Sequence, residues 1–241
     1  VADDLVTAAK IAPGETVLEI GPGLGAVTEI LLERGAKVIA VELDEKLAAW
    51  LQRQYAGRGN VKIVHADVLK LKLDEIVADA GYKLVSSLPF NITSLVLRNF
   101  LERPPRPTSI DLLIQREVAE RVTAAPGQMS MLSVSCQYLG RPVIVRTVGS
   151  DAFFPEPEVE GAIIHIDVRP LPPDADRERV FQVARIGFSA RRKMIANNLQ
   201  SGLHISKEKT LEILENSAIS PTSRPQELRV EDWVDLSRQV V

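Results

Sequence analysis

The stretch Thr16-Val17-Leu18-Glu19-Ile20-Gly21-Pro22-Gly23-Leu24-Gly25 decides the fold. An apolar run of strand length meets three glycines at alternating positions. It then gives way to Ala26 to Arg34, whose apolar residues recur at helical spacing until Gly35 stops them. Strand, glycine turn and helix in that order open an alternating α/β architecture. Outward from this point the two periods keep alternating. Lys37 to Val41 reads as a strand ending at Glu42. Asp44 caps a helix running to about Tyr55, and Val61 to Val64 is a third strand leading into His65-Ala66-Asp67. Lys83 to Ser86 is a fourth strand ending in Ser87-Leu88-Pro89-Phe90-Asn91, Thr93 to Glu102 is a helix, and Ser109 to Ile114 a fifth strand. Two helices follow, near Arg116 to Thr123 and Met131 to Leu139. Two strands then come in succession, Val143 to Val148 and Ala162 to Val168, which suggests an antiparallel hairpin closing the edge of a mostly parallel, seven-stranded sheet. Pro170, Pro172 and Pro173 resemble a linker, and the pattern after Asp174 is helical, with a last helix at Val230 to Val240. The expectation is a Rossmann-like α/β domain over 1–169 and a small all-helical domain over 170–241. The chain begins at Val1, inside what reads as the tail of an amphipathic helix, so a preceding segment is expected.

Composition narrows the function classes. The chain has 241 residues, 45% of them hydrophobic and 25% charged, which excludes intrinsic disorder. With 29 basic and 32 acidic residues the net charge is −3, so no global positive field holds nucleic acid. Any RNA or DNA partner must be gripped by a local patch. The single cysteine, Cys136, has no thiol partner, and three scattered histidines offer no metal cluster, so no metal is expected and the compartment is read as reducing and cytoplasmic. No apolar run is long enough to span a bilayer, and no secretion pattern appears at the amino end.

The glycine turn reads Gly-x-Gly-x-Gly. A dinucleotide fingerprint places its third glycine one residue later, on the amino end of the helix. The shorter spacing favours S-adenosylmethionine (SAM) over NAD, with Gly21, Gly23 and Gly25 admitting the amino acid part of the ligand and Glu19 beside it. Glu42 lies 21 residues past Gly21 at the end of the second strand, where an acid accepts both ribose hydroxyl protons. Asp67 closes the third strand and can accept from an adenine amino group, with Leu43 and Val68 supplying apolar faces for the ring. Taken singly, a glycine turn is often only a tight connection and an acid after a strand only a helix cap. The three signals in order on one sheet edge outweigh those separate readings.

Ser87-Leu88-Pro89-Phe90 after the fourth strand offers a side-chain oxygen and a main-chain carbonyl on a proline-stiffened turn. Such acceptors suit an exocyclic amine, whose lone pair is delocalised into its ring until it is drawn toward tetrahedral geometry. Phe90 can stack on an extruded base, and Phe153-Phe154-Pro155-Glu156-Pro157 can supply the opposite wall.

With these motifs in view, the chain resembles the small-subunit ribosomal RNA adenine N6,N6-dimethyltransferases, the KsgA family (also RsmA), related to the erythromycin-resistance (Erm) methyltransferases. The resemblance runs from Glu19 to Thr28, through Val41-Glu42, Ala66-Asp67, Gln115 to Arg121 and Phe153 to Val159, to Phe188-Ser189-Ala190-Arg191-Arg192-Lys193 and Asn197-Asn198-Leu199. It implies dimethylation of two adjacent adenosines in a hairpin loop near the 3′ end of small-subunit rRNA, within an immature subunit, by a monomer using one SAM per methyl. By position, Gly21, Gly23, Glu42 and Asp67 would contact SAM, Ser87 and the Leu88 carbonyl would receive the amine, and Phe90 and Phe153 would hold the base. Three residues depart from the family pattern. Ser87 replaces the family's asparagine, a longer amide acceptor, and Phe90 its tyrosine; Gly161 stands where serine is usual. The family's amino-terminal Phe-Gly-Gln-x-Phe-Leu segment is absent from these residues.

Phe181 to Gln200 carries Arg185, Arg191, Arg192 and Lys193 and no acid, a local +4 inside a chain of net −3. This contrast predicts a phosphate-binding patch, which Arg116 and Arg121 would extend. Two other readings remain beside the enzyme: an rRNA-binding assembly factor whose chemistry the Ser87 change has weakened or abolished, and an Erm-like enzyme acting on large-subunit rRNA.

Overall fold

The structure is a computed structural model and describes residues 1–77, 81–153, 156–170 and 177–240. In chain order its elements are α1 (Ala2–Ala8), β1 (Thr16–Ile20), α2 (Ala26–Glu33), β2 (Lys37–Glu42), α3 (Glu45–Gln54), β3 (Val61–His65), β4 (Lys83–Ser87), α4 (Thr93–Glu102), β5 (Ser109–Gln115), α5 (Arg116–Val122), α6 (Met131–Leu139), β6 (Gly140–Val148), β7 (Gly161–Val168), α7 (Arg177–Gly187), α8 (Ile195–Leu203), α9 (Lys207–Asn216) and α10 (Val230–Gln239). The seven strands form one sheet in the order β3-β2-β1-β4-β5-β7-β6. The first five run parallel, and β7 pairs antiparallel with both β5 and β6.

Burial explains the order. In the central strands, Val17, Leu18 and Ile20 of β1 and Ile110, Leu112 and Ile114 of β5 are all buried, as a parallel sheet covered on both faces requires. Leu5 and Val6 of α1, Val27 and Leu31 of α2, and Leu51 of α3 share one apolar cluster with Val17, Val38, Val85, Leu113 and Ile163. Asp44 caps α3 as its position predicts, its carboxylate accepting from Leu47 N at 2.9 Å.

Strand β6 begins three residues earlier than the pattern suggests. Pro142 is tolerated in it because β6 is an edge strand, where a missing N–H costs no ladder bond on the open side. A register shift between Ile144 and Arg146 interrupts its pairing with β7.

The chain divides into two compact units. The first is Val1–Glu120 with Gly140–Arg169; the second is Arg121–Leu139 with Pro170–Val241. The segment Arg121–Leu139, which a single division near Arg169 would assign to the sheet domain, therefore groups with the later helices. Its contacts show why: Gly127 N and Met129 N donate to the Gln226 carbonyl at 2.7 and 3.2 Å, and the Tyr138 ring meets Phe181 edge-on at 5.7 Å between centroids. The other aromatic pair of this unit is Phe188 against the fully buried Trp233, 5.3 Å apart.

Candidate active site

At the carboxyl end of the parallel strands lies a cleft of about 480 Å³, lined by Ile20, Gly21, Val41, Glu42, Leu43, Asp44, Ala66, Asp67, Val68, Leu69, Pro89, Asn91 and Ile92. Its size fits a nucleoside-sized ligand, and its place is where open parallel sheets bind such molecules. Three strand ends supply it: β1 with Gly21, β2 with Glu42 and Leu43, β3 with Asp67 and Val68. Pro89 brings the turn after β4 to the same space.

The glycine turn is conformationally obligatory. Gly21, Gly23 and Gly25 all have positive φ, at 63°, 57° and 83°. A side chain at Gly25 would also meet the Tyr55 hydroxyl at 2.7 Å, and that hydroxyl donates to the Gly25 carbonyl. Over Gly23 nothing lies within 4 Å of where a Cβ would stand. This is the bare backbone a ligand can approach closely.

Glu42 is buried and accepts two backbone hydrogen bonds, from Asp44 N at 2.9 Å and from Gly23 N at 3.3 Å. The carboxylate thus ties the glycine turn to the end of β2, and each of its oxygens retains a further lone pair. Asp67 accepts from Leu69 N at 3.0 Å through one oxygen, and its other oxygen pairs with Lys70 at 3.4 Å. This set of carboxylate acceptors fits the donors of a nucleoside, a ribose diol and an exocyclic amine.

Glu19 does not line the cleft. It is 2% exposed and accepts from the buried Thr28 hydroxyl at 2.6 Å, behind the glycine turn. Burial, with a smaller push from the charge of Glu42, raises its carboxyl to about 7, against the lowering effect of the Thr28 bond. Between the ordinary carboxylate value and about 7 the unfolded chain gives up this proton while the fold keeps it. Stability therefore falls as pH rises through that window, by about 3 kcal/mol at its upper end. Thermal melts from pH 5 to 8 should show this decline in the wild type and a shallower one in Glu19→Gln; parallel curves would remove Glu19 as its source.

Of the acceptor turn, Ser87 and Pro89 are exposed, Leu88 is buried and Phe90 half-buried. The turn is fixed from two sides: Leu88 N donates to the Leu113 carbonyl at 3.2 Å, and the buried Ser86 hydroxyl donates to the Ile20 carbonyl at 2.5 Å. Phe153 is half-buried against the apolar cluster that includes Leu113 and Ile163. Phe154 and Pro155 lie outside the described residues. The structure thus gathers Gly21, Glu42, Leu43, Asp67, Val68 and Pro89 around one cleft, while Glu19, Gly23, Gly25, Ser87, Leu88, Phe90 and Phe153 are not on its wall. Leu69 and Ile92 line the cleft without a signal of their own in the sequence, each directly after a residue that has one, and Asp44 lines it besides capping its helix.

Arg191, Arg192 and Lys193 are exposed but do not lie on a helix, as the run Phe181 to Gln200 suggested. Between α7 and α8 the chain makes a short turn over Phe188–Ala190 and continues irregularly to Met194. The buried Asn198 holds that turn, its amide donating to the Gly187 carbonyl at 2.6 Å and the Ala190 carbonyl at 3.0 Å. Arg185 is exposed on α7. Arg116 is already paired with Glu120 at 2.8 Å and Glu160 at 2.6 Å, and the Glu120 bond first, then that to Glu160, pushes its guanidinium pKa up. Its charge is therefore largely balanced within the fold. Cys136 is buried in α6, as expected of a packing residue. His165 is half-buried: Nδ1 meets the fully buried Asp111 at 2.7 Å and Nε2 meets Asp167 at 3.1 Å. Among the described residues there is no cluster able to hold a metal, and no helix is long and apolar enough to cross a membrane.

Comparison with known proteins agrees with this geometry. The sequence profile of the family described as "Ribosomal RNA adenine dimethylase" matches residues 1–239. A curated relative from Dehalococcoides mccartyi (strain CBDB1), "Ribosomal RNA small subunit methyltransferase A", is 43% identical over 98% of this chain and 82% of its own length. One of the same name from Moorella thermoacetica is 38% identical over 97% and 85%. Among solved structures, the 23S rRNA methyltransferase ErmE superposes with a TM-score of 0.78 at 25% identity, covering 99% of this chain and 96% of its own. A dimethyladenosine transferase from Plasmodium falciparum reaches 0.84 at 23% identity over 98% and 93%, a likeness of fold. On the match over nearly its full length and the cleft that accompanies it, the chain belongs to the ribosomal RNA adenine dimethylases, a family of SAM-dependent methyltransferases.

Proposed function

We propose that this chain dimethylates N6 of two adjacent adenosines in the hairpin loop near the 3′ end of small-subunit rRNA, within an immature ribosomal subunit, acting as a monomer in the cytoplasm. The observation that carries the reading is that Pro89 of the acceptor turn lines the same cleft as Gly21, Glu42 and Asp67. Groups suited to a nucleoside cofactor and groups suited to an amine acceptor therefore share one space.

When bound, SAM supplies a methyl group made electrophilic by its sulfonium sulfur. The chain's residues do the rest by alignment and desolvation, and no strong general base is needed. Glu42 accepts from the ribose hydroxyls, Leu43 and Val68 flank the adenine ring, and Asp67 accepts from its amino group. The Ser87 hydroxyl and the Leu88 carbonyl accept from the target amine and draw its nitrogen out of conjugation. Phe90 and Phe153 hold the extruded base by stacking, each stack worth about 1–3 kcal/mol. The exposed charges of Arg185, Arg191, Arg192 and Lys193 meet RNA phosphates from the helical unit.

The test is mass spectrometry of rRNA from cells with and without the protein, together with labelled methyl transfer to undermethylated small subunits in vitro. Loss of N6,N6-dimethyladenosine from the small subunit is the expected result. An unchanged pattern with subunit binding intact would instead support the assembly-factor reading, and label in the large subunit the Erm-like one.

A further inference from the structure

The start of β7 carries a glycine whose role is steric. A Cβ built on Gly161 would lie 2.7 Å from Phe153 Cζ and 3.2 Å from Phe153 Cε2, with Leu113 Cδ1 at 3.4 Å on another side. The first distance is shorter than any carbon contact tolerates, so the ring occupies the volume a side chain at 161 would need. Strand register shows which face this is. Ser87 pairs with Leu113, Leu113 with Ile163, and Gln115 with Gly161. Paired residues share a face of the sheet, as do alternate residues along a strand. Ser87, Leu113, Ile163 and Gly161 therefore belong to one face, and β4 and β7 are two strand spacings apart, about 10 Å. The loop from β6 folds back accordingly: Phe153 N donates to the Ser150 carbonyl at 3.1 Å, and Val148, the last residue of β6, pairs with Gly161 itself.

We infer that Gly161 is a positioning residue for the methyl acceptor: by lacking a side chain it seats the Phe153 ring against β7, on the face of the sheet that carries Ser87. The ring touches the base, and Gly161 acts only through the ring. Leu113 joins the two sides of this arrangement, because its carbonyl accepts from Leu88 N in the acceptor turn while its methyl group borders the space over Gly161. Although serine is the residue usual here in the family, in this chain a Cβ at 161 meets the ring as it is seated, so alanine displaces it: a phenyl group cannot flex within itself and can only rotate away about χ1 and χ2. Gly161 has no positive φ, so the substitution imposes no backbone strain of its own.

The inference rests on the proposed adenine-N6 methyl transfer, and its test separates the two. Methyl transfer to undermethylated small subunits is compared for wild type, Gly161→Ala, Phe153→Leu and the double variant, with KM for the subunit and kcat resolved, alongside SAM binding and thermal melts. The expected result is a loss of kcat/KM in Gly161→Ala of roughly 5- to 150-fold, the span of one base–aromatic stack, with SAM affinity and folding retained. In the Phe153→Leu background, where no ring remains to displace, adding Gly161→Ala should change little. Independent, multiplicative losses in the double variant overturn the inference, as does wild-type kcat/KM in Gly161→Ala. Should Gly161→Ala melt early, Gly161→Ser read by the same cycle decides the matter. If the wild type itself transfers no methyl to the small subunit, the functional reading fails before the question of Gly161 arises.

Discussion

Glu42→Ala should weaken SAM binding by about two to four orders of magnitude, measured by calorimetric titration, while leaving the far-UV spectrum unchanged. Two effects combine. A hydrogen bond to a charged group contributes about 1.5–3 kcal/mol, and a ribose diol makes two of them. The same carboxylate also accepts from Gly23 N and Asp44 N, so its removal frees the glycine turn from the end of β2. Glu42→Gln separates the contributions. The amide keeps one acceptor but cannot receive from Gly23 N, Asp44 N and two hydroxyls together, so its affinity should fall between those of wild type and alanine. Unaltered affinity in Glu42→Ala would mean that the ribose assignment is wrong.

The second large effect concerns stability. Asp111 is fully buried on β5 opposite His165 on β7, and Ser109 Oγ donates to its second oxygen at 3.1 Å. Asp111→Ala leaves the imidazole and the hydroxyl without their partner and opens a void, a change that typically costs about 3–5 kcal/mol. For a chain of this size the melting temperature should drop by roughly 10 °C. The pH dependence has a definite sign. The Asp111 hydrogen bond holds the His165 pKa above its ordinary value, so the pair's contribution is fully present below pH 6.5 and is lost as pH rises through the folded value. The penalty of Asp111→Ala should accordingly be larger at pH 6 than at pH 9. An equal penalty at both would show that His165 is not charged in the fold.

How legible this was follows from the range of each signal. The strand–glycine–helix unit and the acids at 42 and 67 are local: period, turn chemistry and spacing place them, and the structure puts Gly21, Glu42 and Asp67 around one cleft. That Arg121–Leu139 groups with the later helices is not legible in the sequence, because helical period shows that a segment is a helix and not what it packs against; Tyr138 meeting Phe181 is a contact across more than forty residues. The Asp111–His165 pair is hidden for a related reason, since two residues 54 apart become neighbours only through strand register. Of the two partners of Arg116, Glu120 is a helical i,i+4 neighbour legible in the sequence, whereas Glu160 stands 44 residues away and meets it only in the fold. Glu19 looked like a ligand-side acid from its place before the glycines, but strand alternation turns it toward Thr28 instead.

The bond from the Ser86 hydroxyl to the Ile20 carbonyl joins the last buried residue before the acceptor turn to the last residue before the glycine turn. Donor loop and acceptor loop are thereby mounted on one bracket. The bond constrains, at the roots of the two loops, the separation a methyl group must cross. Reaction geometry of this kind depends on relative displacement, where an error of about 1 Å can cost a hundredfold in rate.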